Sequence, residues 1–419
     1  MSRPRRTIAA AAVVLMAMIL LAAGCANDGS SKINLKIGTL LPLTGQRDQL
    51  GEAGKDATKL AQAQIDTAIR KNGSAHTVTT ISTDEGPDPG VTVNSASKLK
   101  DDKASCVVGP YSSANLLVAT NQVFVPADIP VISPAASADP ISKVRDGDLI
   151  NRTVLPDADQ GPSLAAFMDR ELHGVKGKTA SVGSFDSIYG TNLLKSFVDS
   201  WKKLGGKIAG TTAWKDKSDY TKEVKKLTGK KPDAYVFFDN SSTFGRVVTQ
   251  LIPTKTWKAN KTFGADALAD PVFTVNPTMF GMRGIAPGSP DDTPAGKAFD
   301  AAFGKATKGK VDRQSFDAQA FDAYILCYLG AVAAGSSNGG KIADRLREVS
   351  GPPGEKFTWM QLPEAVKALE RGKDIDYEGA SGPIDLNAQG DPTSGTYDSW
   401  RIAKEKIGIG EDVPYPPEL

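Results

Sequence analysis

The sequence is poor in the residues that most catalytic and metal sites require. It has 2 His and 3 Cys in 419 residues, which are too few side chains to favour a histidine-based catalytic triad or a zinc site. His76 and His173 both lie in polar segments, which predicts exposed positions. The nucleophile-elbow, phosphate-loop, dinucleotide-binding and zinc-protease motifs are absent as well. These absences argue against an enzyme and against a resident metal or cofactor.

An excess of one charge is also lacking. Lys plus Arg total 50 and Asp plus Glu total 48, so the composition gives no reason to expect a nucleic-acid partner. With 40% hydrophobic and 23% charged residues, the chain has the make-up of an ordinary globular protein. Its length exceeds what one hydrophobic core normally organises, which predicts two compact lobes.

Long apolar runs are missing except at the N-terminus. Arginines within residues 1–6 precede an apolar run over residues 8–21, and Ala-Ala-Gly then leads to Cys25. This run is shorter than the roughly 20 residues that a membrane-spanning helix needs, and its layout is that of an export signal. We expect cleavage before Cys25 and lipid attachment to its sulfur. The alternative, ordinary cleavage, would leave an exposed thiol in an oxidising compartment, where thiols are a liability.

The other two cysteines lie in apolar segments. Cys106 falls in a strand-like run and Cys327 in a helix-like run, so both are predicted to be buried small hydrophobes. A disulfide between them suits an exported protein, but sequence alone does not place the two residues together.

Strand and helix patterns alternate along the chain, which favours parallel sheets with helices on both faces. The alternation restarts after residue 152, which favours a second lobe. Strands are predicted near residues 33–41, 78–81, 106–108, 131–132, 179–182, 208–211, 234–238 and 262–264.

Two neighbouring strand ends carry polar residues that suit a small ligand. The segment 107–115 contains Ser112 and Ser113 at a helix start, where free amides and a hydroxyl could bind a carboxylate. A helix-capping role for these serines is an equal alternative. The segment 132–140 likewise places a hydroxyl residue, Ser137, shortly after a predicted strand. Polar groups that converge at a strand-end crevice favour binding. By contrast, the Asp-rich segment 385–391 lacks the spacing of a calcium loop and is interpreted as a surface turn.

Several segments, in order, resemble the leucine/isoleucine/valine-binding branch of periplasmic solute-binding proteins. The resemblance covers essentially the whole chain after the signal. Its carriers are residues 37–45, 109–113, 129–137, 159–162, 189–190, 321–323 and 377–385.

This resemblance implies an α/β fold of the periplasmic-binding-protein type I: two lobes, each a mainly parallel sheet flanked by helices, joined by three crossovers. The implied divisions are a lipoprotein signal (1–24), a tether (25–32), lobe 1 (33–152 and 284–380), lobe 2 (153–283), and a last crossover with return to lobe 2 (381–419).

The resemblance also implies a ligand site between the lobes. Ser113 and Ser137 would bind an α-carboxylate, whereas the Ala135 carbonyl and Asp266 would bind an α-ammonium. Tyr111 and Tyr189 would line the pocket. The family's longer glutamate is replaced by Asp266, its tyrosine by Asn240 and an often aromatic residue by Leu50. Asn240 would also contact the ligand. The amino-acid anchor is therefore predicted, and branched-chain specificity stays open. From the residues alone, Asp266 would be a helix cap.

The function implied is that of a monomeric, extracytoplasmic lipoprotein, anchored to the membrane by its lipid, that captures an amino acid and delivers it to the permease of an ABC transporter. No cofactor is required. Two alternatives stay open. The same fold could bind an amide, a urea or an aromatic acid, or the protein could be an exported sensor or adhesion lipoprotein.

Overall fold

The computed structural model describes residues 32–45, 47–288, 290 and 293–415. The predicted signal segment and Cys25, the predicted lipid attachment site, lie outside the described residues.

The first lobe is built on a five-stranded parallel sheet. Its strand order is β2-β1-β3-β4-β5. The first strand alternates exposed and buried residues and then becomes fully buried, as expected for a strand that enters the middle of a sheet. The strands are β1 (Asn34–Leu41), β2 (Thr77–Asp84), β3 (Cys106–Val108), β4 (Val131–Ser133) and β5 (Ile150–Arg152).

The connecting helices of this lobe are α1 (Asp48–Asn72), α2 (Pro89–Asp101) and α3 (Ser113–Ala119). Helix α1 buries Ala53, Ala57, Ala61 and Ile65, which share one face because they recur at helical spacing. It ends at Gly73, whose φ of 65° allows its amide to bond back to the last turn.

The second lobe repeats the pattern on a larger sheet. Its strand order, β14-β13-β10-β9-β8-β6-β7, includes two strands from the end of the chain. The elements before the return to the first lobe are β6 (Thr179–Phe185), β7 (Lys207–Trp214), β8 (Ala234–Phe238), β9 (Thr262–Gly264), β10 (Arg283–Pro287), and helices α4 (Asp157–Glu171), α5 (Ile188–Lys203), α6 (Thr221–Thr228) and α7 (Ser241–Leu251).

The chain then returns to the first lobe and finally to the second. The returning helices share one hydrophobic core with α1 and β1. The last strands, β13 (Gly395–Ala403) and β14 (Lys406–Tyr415), are antiparallel and join the second sheet beside β10. The returning elements are α8 (Pro294–Thr307), α9 (Asp317–Ala334), α10 (Gly339–Val349), β11 (Glu355–Thr358), α11 (Leu362–Glu370) and β12 (Ile375–Glu378).

Three segments therefore connect the two sheets: one after β5, one after β10 and one after β12. The predicted class, two α/β lobes of the periplasmic-binding-protein type I, is confirmed. The residue boundaries of the lobes stay a prediction, and β10 extends in the second sheet beyond the end predicted for lobe 2 at residue 283.

A disulfide joins the sheet of the first lobe to its longest returning helix. Cys106 in β3 and Cys327 in α9 are both fully buried, with Cα atoms 5.8 Å apart. The predicted burial is thus confirmed, and the pairing that sequence left open is present.

His173 is exposed as predicted, but the prediction for His76 is wrong: it is 5% exposed, and its Nδ1 lies 3.1 Å from the Tyr328 hydroxyl.

Among the described residues, no single helix is both long enough and apolar enough to cross a membrane. Helices α9 and α10 meet that criterion only as a pair bent by 105°.

Candidate functional site

The two predicted strand-end segments of the first lobe contact each other. Strands β3 and β4 are parallel neighbours, with Val108 opposite Ile132, so their carboxyl ends meet at one edge of the sheet. The Ser113 hydroxyl, at the start of α3, accepts a hydrogen bond of 3.2 Å from the amide of Ala138. Ser113 and Ser137 are both buried. The structure therefore brings the two predicted serines to one place.

The amides of these two serines are available to a ligand. Within the part of the chain that the structure describes, no protein atom accepts a hydrogen bond from the amide of Ser113 or of Ser137. Buried amides normally have partners. Two unpaired amides at one sheet edge are donors that an anionic group could satisfy.

Other amides at the same helix start are occupied, so only part of the predicted set of free amides is left for a ligand. Glu85, which follows β2 and is fully buried, accepts from the amides of Tyr111 (2.8 Å) and Ser112 (2.9 Å) and from the Asn115 side chain (2.8 Å). An internal carboxylate thus satisfies part of the predicted anion site. Sequence analysis missed Glu85, although its position directly after a strand of the same sheet was the available signal.

Asp266 and Tyr189 of the second lobe are also brought together. Asp266 follows β9, and its Oδ1 accepts from the Tyr189 hydroxyl (2.8 Å) and from Gln160 Nε2 (2.7 Å). Burial raises the pKa of Asp266 above its ordinary value of 3.8, and the hydrogen bonds from Gln160 and Tyr189 oppose that rise. A nearby cation would therefore stabilise its charged form.

Asp157 is a second acidic residue at the site that sequence analysis missed. It begins α4 in the second lobe, and its amide donates to the Ser137 carbonyl of the first lobe at 2.8 Å. Its carboxyl group is fully buried, and neither oxygen makes a hydrogen bond of ordinary geometry with any residue that the structure describes. Burial raises the pKa of Asp157 well above 3.8, the Ser137 hydroxyl lowers it, and the charge of Asp266 raises it further. A buried carboxyl group thus lies beside a predicted carboxylate anchor, within electrostatic reach of Asp266.

The apolar part of the site is a small cluster in the first lobe. Tyr111 packs with Leu50 and Ala135 in this cluster, and its ring meets that of Phe316 edge to face, with centroids 6.1 Å apart. Its buried hydroxyl packs against α1 at Gly54. The structure therefore gives Tyr111 a packing role, and its predicted contact with a ligand stays a prediction.

Asn240 is not brought to the other predicted residues by its side-chain contacts. Its Oδ1 accepts from the amide of Thr243 at 3.0 Å and so caps the start of α7. The structure accordingly places this side chain in a helix cap, and its ligand role stays a prediction. Among the described residues, no group of three or more His, Cys, Asp or Glu side chains could hold a metal ion.

Comparisons with known proteins agree with the fold. A family model described as "Periplasmic binding protein" matches residues 34–362. The substrate-binding protein BasB of the chemotactic signal transduction system of Halobacterium salinarum is 25% identical over 86% of this chain and 85% of its own. The Leu/Ile/Val-binding protein of Escherichia coli K12 is 25% identical over 52% of this chain and 58% of its own.

Solved structures share the fold at lower identity. A Streptococcus pneumoniae branched-chain amino acid binding protein in complex with isoleucine superposes with a TM-score of 0.71 at 22% identity, covering 91% of this chain and 99% of the other. A Rhodopseudomonas palustris (R. palustris) solute-binding protein in complex with benzoate has a TM-score of 0.68 at 19% identity, covering 92% and 98%. At these identities the likeness shows the fold alone.

Proposed function

The chain belongs to the periplasmic binding protein family, and from this premise we propose that it captures a free α-amino acid between its two lobes for an ABC transporter. Proteins of this family and fold bind solutes and are not enzymes. The observation that carries the proposal is that donors and acid lie in different lobes. Within the described residues, the amides of Ser113 and Ser137 in the first lobe are unpaired, and the Asp266 carboxylate lies in the second lobe.

This division matches the two ends of a zwitterion. The α-carboxylate would accept from the amides of Ser113 and Ser137, and the α-ammonium would contact the Ala135 carbonyl and the Asp266 carboxylate. The α-carboxylate would thus be bound by the first lobe alone, whereas the charged partner of the α-ammonium would come from the second lobe.

Closure would follow from that arrangement. Only a closed cleft satisfies both ends of the ligand, so the ligand stabilises the closed state through contacts that the open state lacks. A permease could then distinguish loaded from empty protein by shape. No covalent step is involved.

An aromatic acid is the first alternative ligand, because the R. palustris neighbour is described in complex with benzoate. Such a ligand has no ammonium group. It would leave Asp266, which is already buried, without a cationic partner, and an unpaired buried carboxylate is costly. The acidic residues at this site therefore favour the amino acid.

A sensory role is the second alternative, favoured by the Halobacterium salinarum relative, whose name places it in chemotactic signal transduction. This alternative changes the receiver, meaning the protein that recognises the closed, loaded form, from a permease to a sensor. The ligand would be the same. For either receiver, the position of Cys25 after the apolar run supports a lipid-anchored, extracytoplasmic protein.

Calorimetry with the common L-amino acids, followed by small-angle scattering on any that bind, tests the proposal. We expect one-to-one binding and a smaller radius of gyration for the loaded protein. If every amino acid fails and benzoate or an uncharged amide binds, the ligand class proposed is wrong.

A further inference from the structure

Arg152, the last residue of β5, is fully buried. Its guanidinium contacts three separate parts of the chain. Nε donates to Asp391 Oδ1 at 2.6 Å, Nη1 donates to the carbonyls of Ala136 (3.2 Å) and Ala138 (3.3 Å), and Nη2 donates to the Ser142 hydroxyl. A buried arginine with this many partners fixes the groups that it contacts.

The contact with Ala136 determines where the amide of Ser137 points. The Ala136 carbonyl and the Ser137 amide belong to one planar trans peptide unit, so they point in opposite directions. Because Arg152 holds the carbonyl on one side, the amide is directed to the other side, where no described protein atom accepts from it.

The neighbouring peptide units are fixed as well. The Ser137 carbonyl accepts from the amide of Asp157 at 2.8 Å, and the amide of Ala138 donates to the Ser113 hydroxyl. Nη1 of Arg152 then holds the next carbonyl, that of Ala138. Three successive peptide units around Ser137 therefore have a set orientation.

The same arginine is attached to the last connection between the lobes. Its backbone amide donates to the Gly390 carbonyl at 2.9 Å, and Asp391, its ion-pair partner, is 5% exposed. Asp391 belongs to a turn in which the amide of Asn387 donates to its carbonyl. The acidic segment interpreted as a surface turn thus places one buried carboxylate against Arg152.

We propose that Arg152 and Asp391 are positioning residues for ligand binding: their ion pair orients the Ser137 amide toward the cleft and ties it to the segment that joins the lobes. The proposal rests on the proposed function in one respect, that the Ser137 amide is a ligand anchor. The orientation of the segment itself depends on no ligand.

A purely structural role for a buried arginine is the competing explanation, and the second lobe supplies a matched control. Arg283 is also buried, forms an ion pair with Glu171 at 2.7 Å and donates to the Asn260 carbonyl at 2.8 Å. Among the described residues, its side-chain hydrogen bond, ion pair and ring contact involve Asn260, Glu171 and Phe263, which are not residues of the candidate site. Arg152→Lys and Arg283→Lys therefore each keep a positive charge while disturbing a buried ion pair and an arginine–carbonyl contact.

The test combines hydrogen–deuterium exchange of the ligand-free protein with L-leucine calorimetry. In Arg152→Lys and in Asp391→Asn, we expect exchange in residues 134–141 to accelerate by about tenfold or more and L-leucine affinity to fall by about tenfold, as when a hydrogen bond to a charged group is lost. In Arg283→Lys, both should stay within about twofold of the wild type.

The proposal would be overturned if Arg152→Lys and Asp391→Asn showed the same exchange rates and the same L-leucine affinity as Arg283→Lys. This holds even if all three variants melt at a lower temperature than the wild type. A wild-type protein that binds no L-leucine would exclude leucine as the ligand without contradicting the proposed class of α-amino acids. The exchange experiment would still decide whether Arg152 orders this segment.

Discussion

The Tyr189 hydroxyl donates a hydrogen bond of 2.8 Å to Oδ1 of Asp266, the same oxygen that accepts from Gln160. The two donors hold the carboxylate in one orientation, and both lower its pKa against the raising effect of burial. Asp266 is therefore an acid whose charge depends on its hydrogen bonds and on any cation that enters the cleft.

Ligand affinity should depend on pH through this residue. The pKa of Asp266 in the free protein is raised, and a bound ammonium favours the ionised carboxylate, so affinity should be full above the raised pKa and decrease as pH falls through it. Calorimetry from about pH 4 to about pH 8 would measure this. An affinity that does not change with pH would show that an ionised Asp266 is not required for ligand binding. Because Asp157 is coupled to Asp266, the profile reports the pair.

Tyr189→Phe should shift that profile. The substitution removes one of the two hydrogen bonds that stabilise the charged carboxylate, so the decrease in affinity should begin at a higher pH. At neutral pH we expect weaker binding, because a larger fraction of Asp266 would be protonated before the ligand enters. An unchanged profile would show that Tyr189 does not act through Asp266.

The disulfide should contribute to stability and not to binding. Cys106 and Cys327 are 221 residues apart in sequence, and removal of such a crosslink typically costs about 2–4 kcal/mol. Cys106→Ala with Cys327→Ala should therefore lower the melting temperature by about 5–15 °C. Ligand affinity well below the melting temperature should be unchanged. An unchanged melting temperature would contradict a stabilising role.

Lipid attachment to Cys25 predicts how the protein fractionates. In cells that express the full chain, Cys25→Ser should move the protein from the membrane fraction to the soluble or secreted fraction, because the lipid is its proposed anchor. A wild-type sample should also show the mass of a diacylglycerol on its N-terminal peptide. Retention of the variant in the membrane fraction would rule out this anchor.

The sequence was sufficient for the architecture and for part of the site. Alternating strand and helix patterns predicted two parallel sheets, and the polar strand ends predicted that Ser113 and Ser137 lie together. Glu85, Asp157 and the Arg152–Asp391 pair could not be found in this way, because their roles depend on contacts between segments that are distant in sequence. The same limit applies to the Cys106–Cys327 pairing and to the burial of His76 by Tyr328.

A matched pair of aspartates separates binding from folding. Asp322 in α9 is fully buried and accepts from the Tyr377 hydroxyl and from the amides of Ala380 and Ser381, at 2.7–2.8 Å. Asp322→Asn would place an amide donor among these donors and should lower the melting temperature. Both donors to Asp266 use a single oxygen, Oδ1, which an asparagine retains, so in Asp266→Asn the melting temperature of the ligand-free protein should hardly change.

Calorimetric titration of Asp266→Asn with the amino acid that the wild type binds tests most directly whether the Asp266 carboxylate binds the ligand's α-ammonium. Loss of the carboxylate leaves the ligand's ammonium unpaired in a closed cleft, which costs roughly 3–5 kcal/mol by analogy with broken buried ion pairs. We therefore predict an affinity at least about a hundredfold weaker, with the ligand-free melting temperature of the wild type. Normal binding by a variant that unfolds early would show that Asp266 is structural and that the ammonium site lies elsewhere.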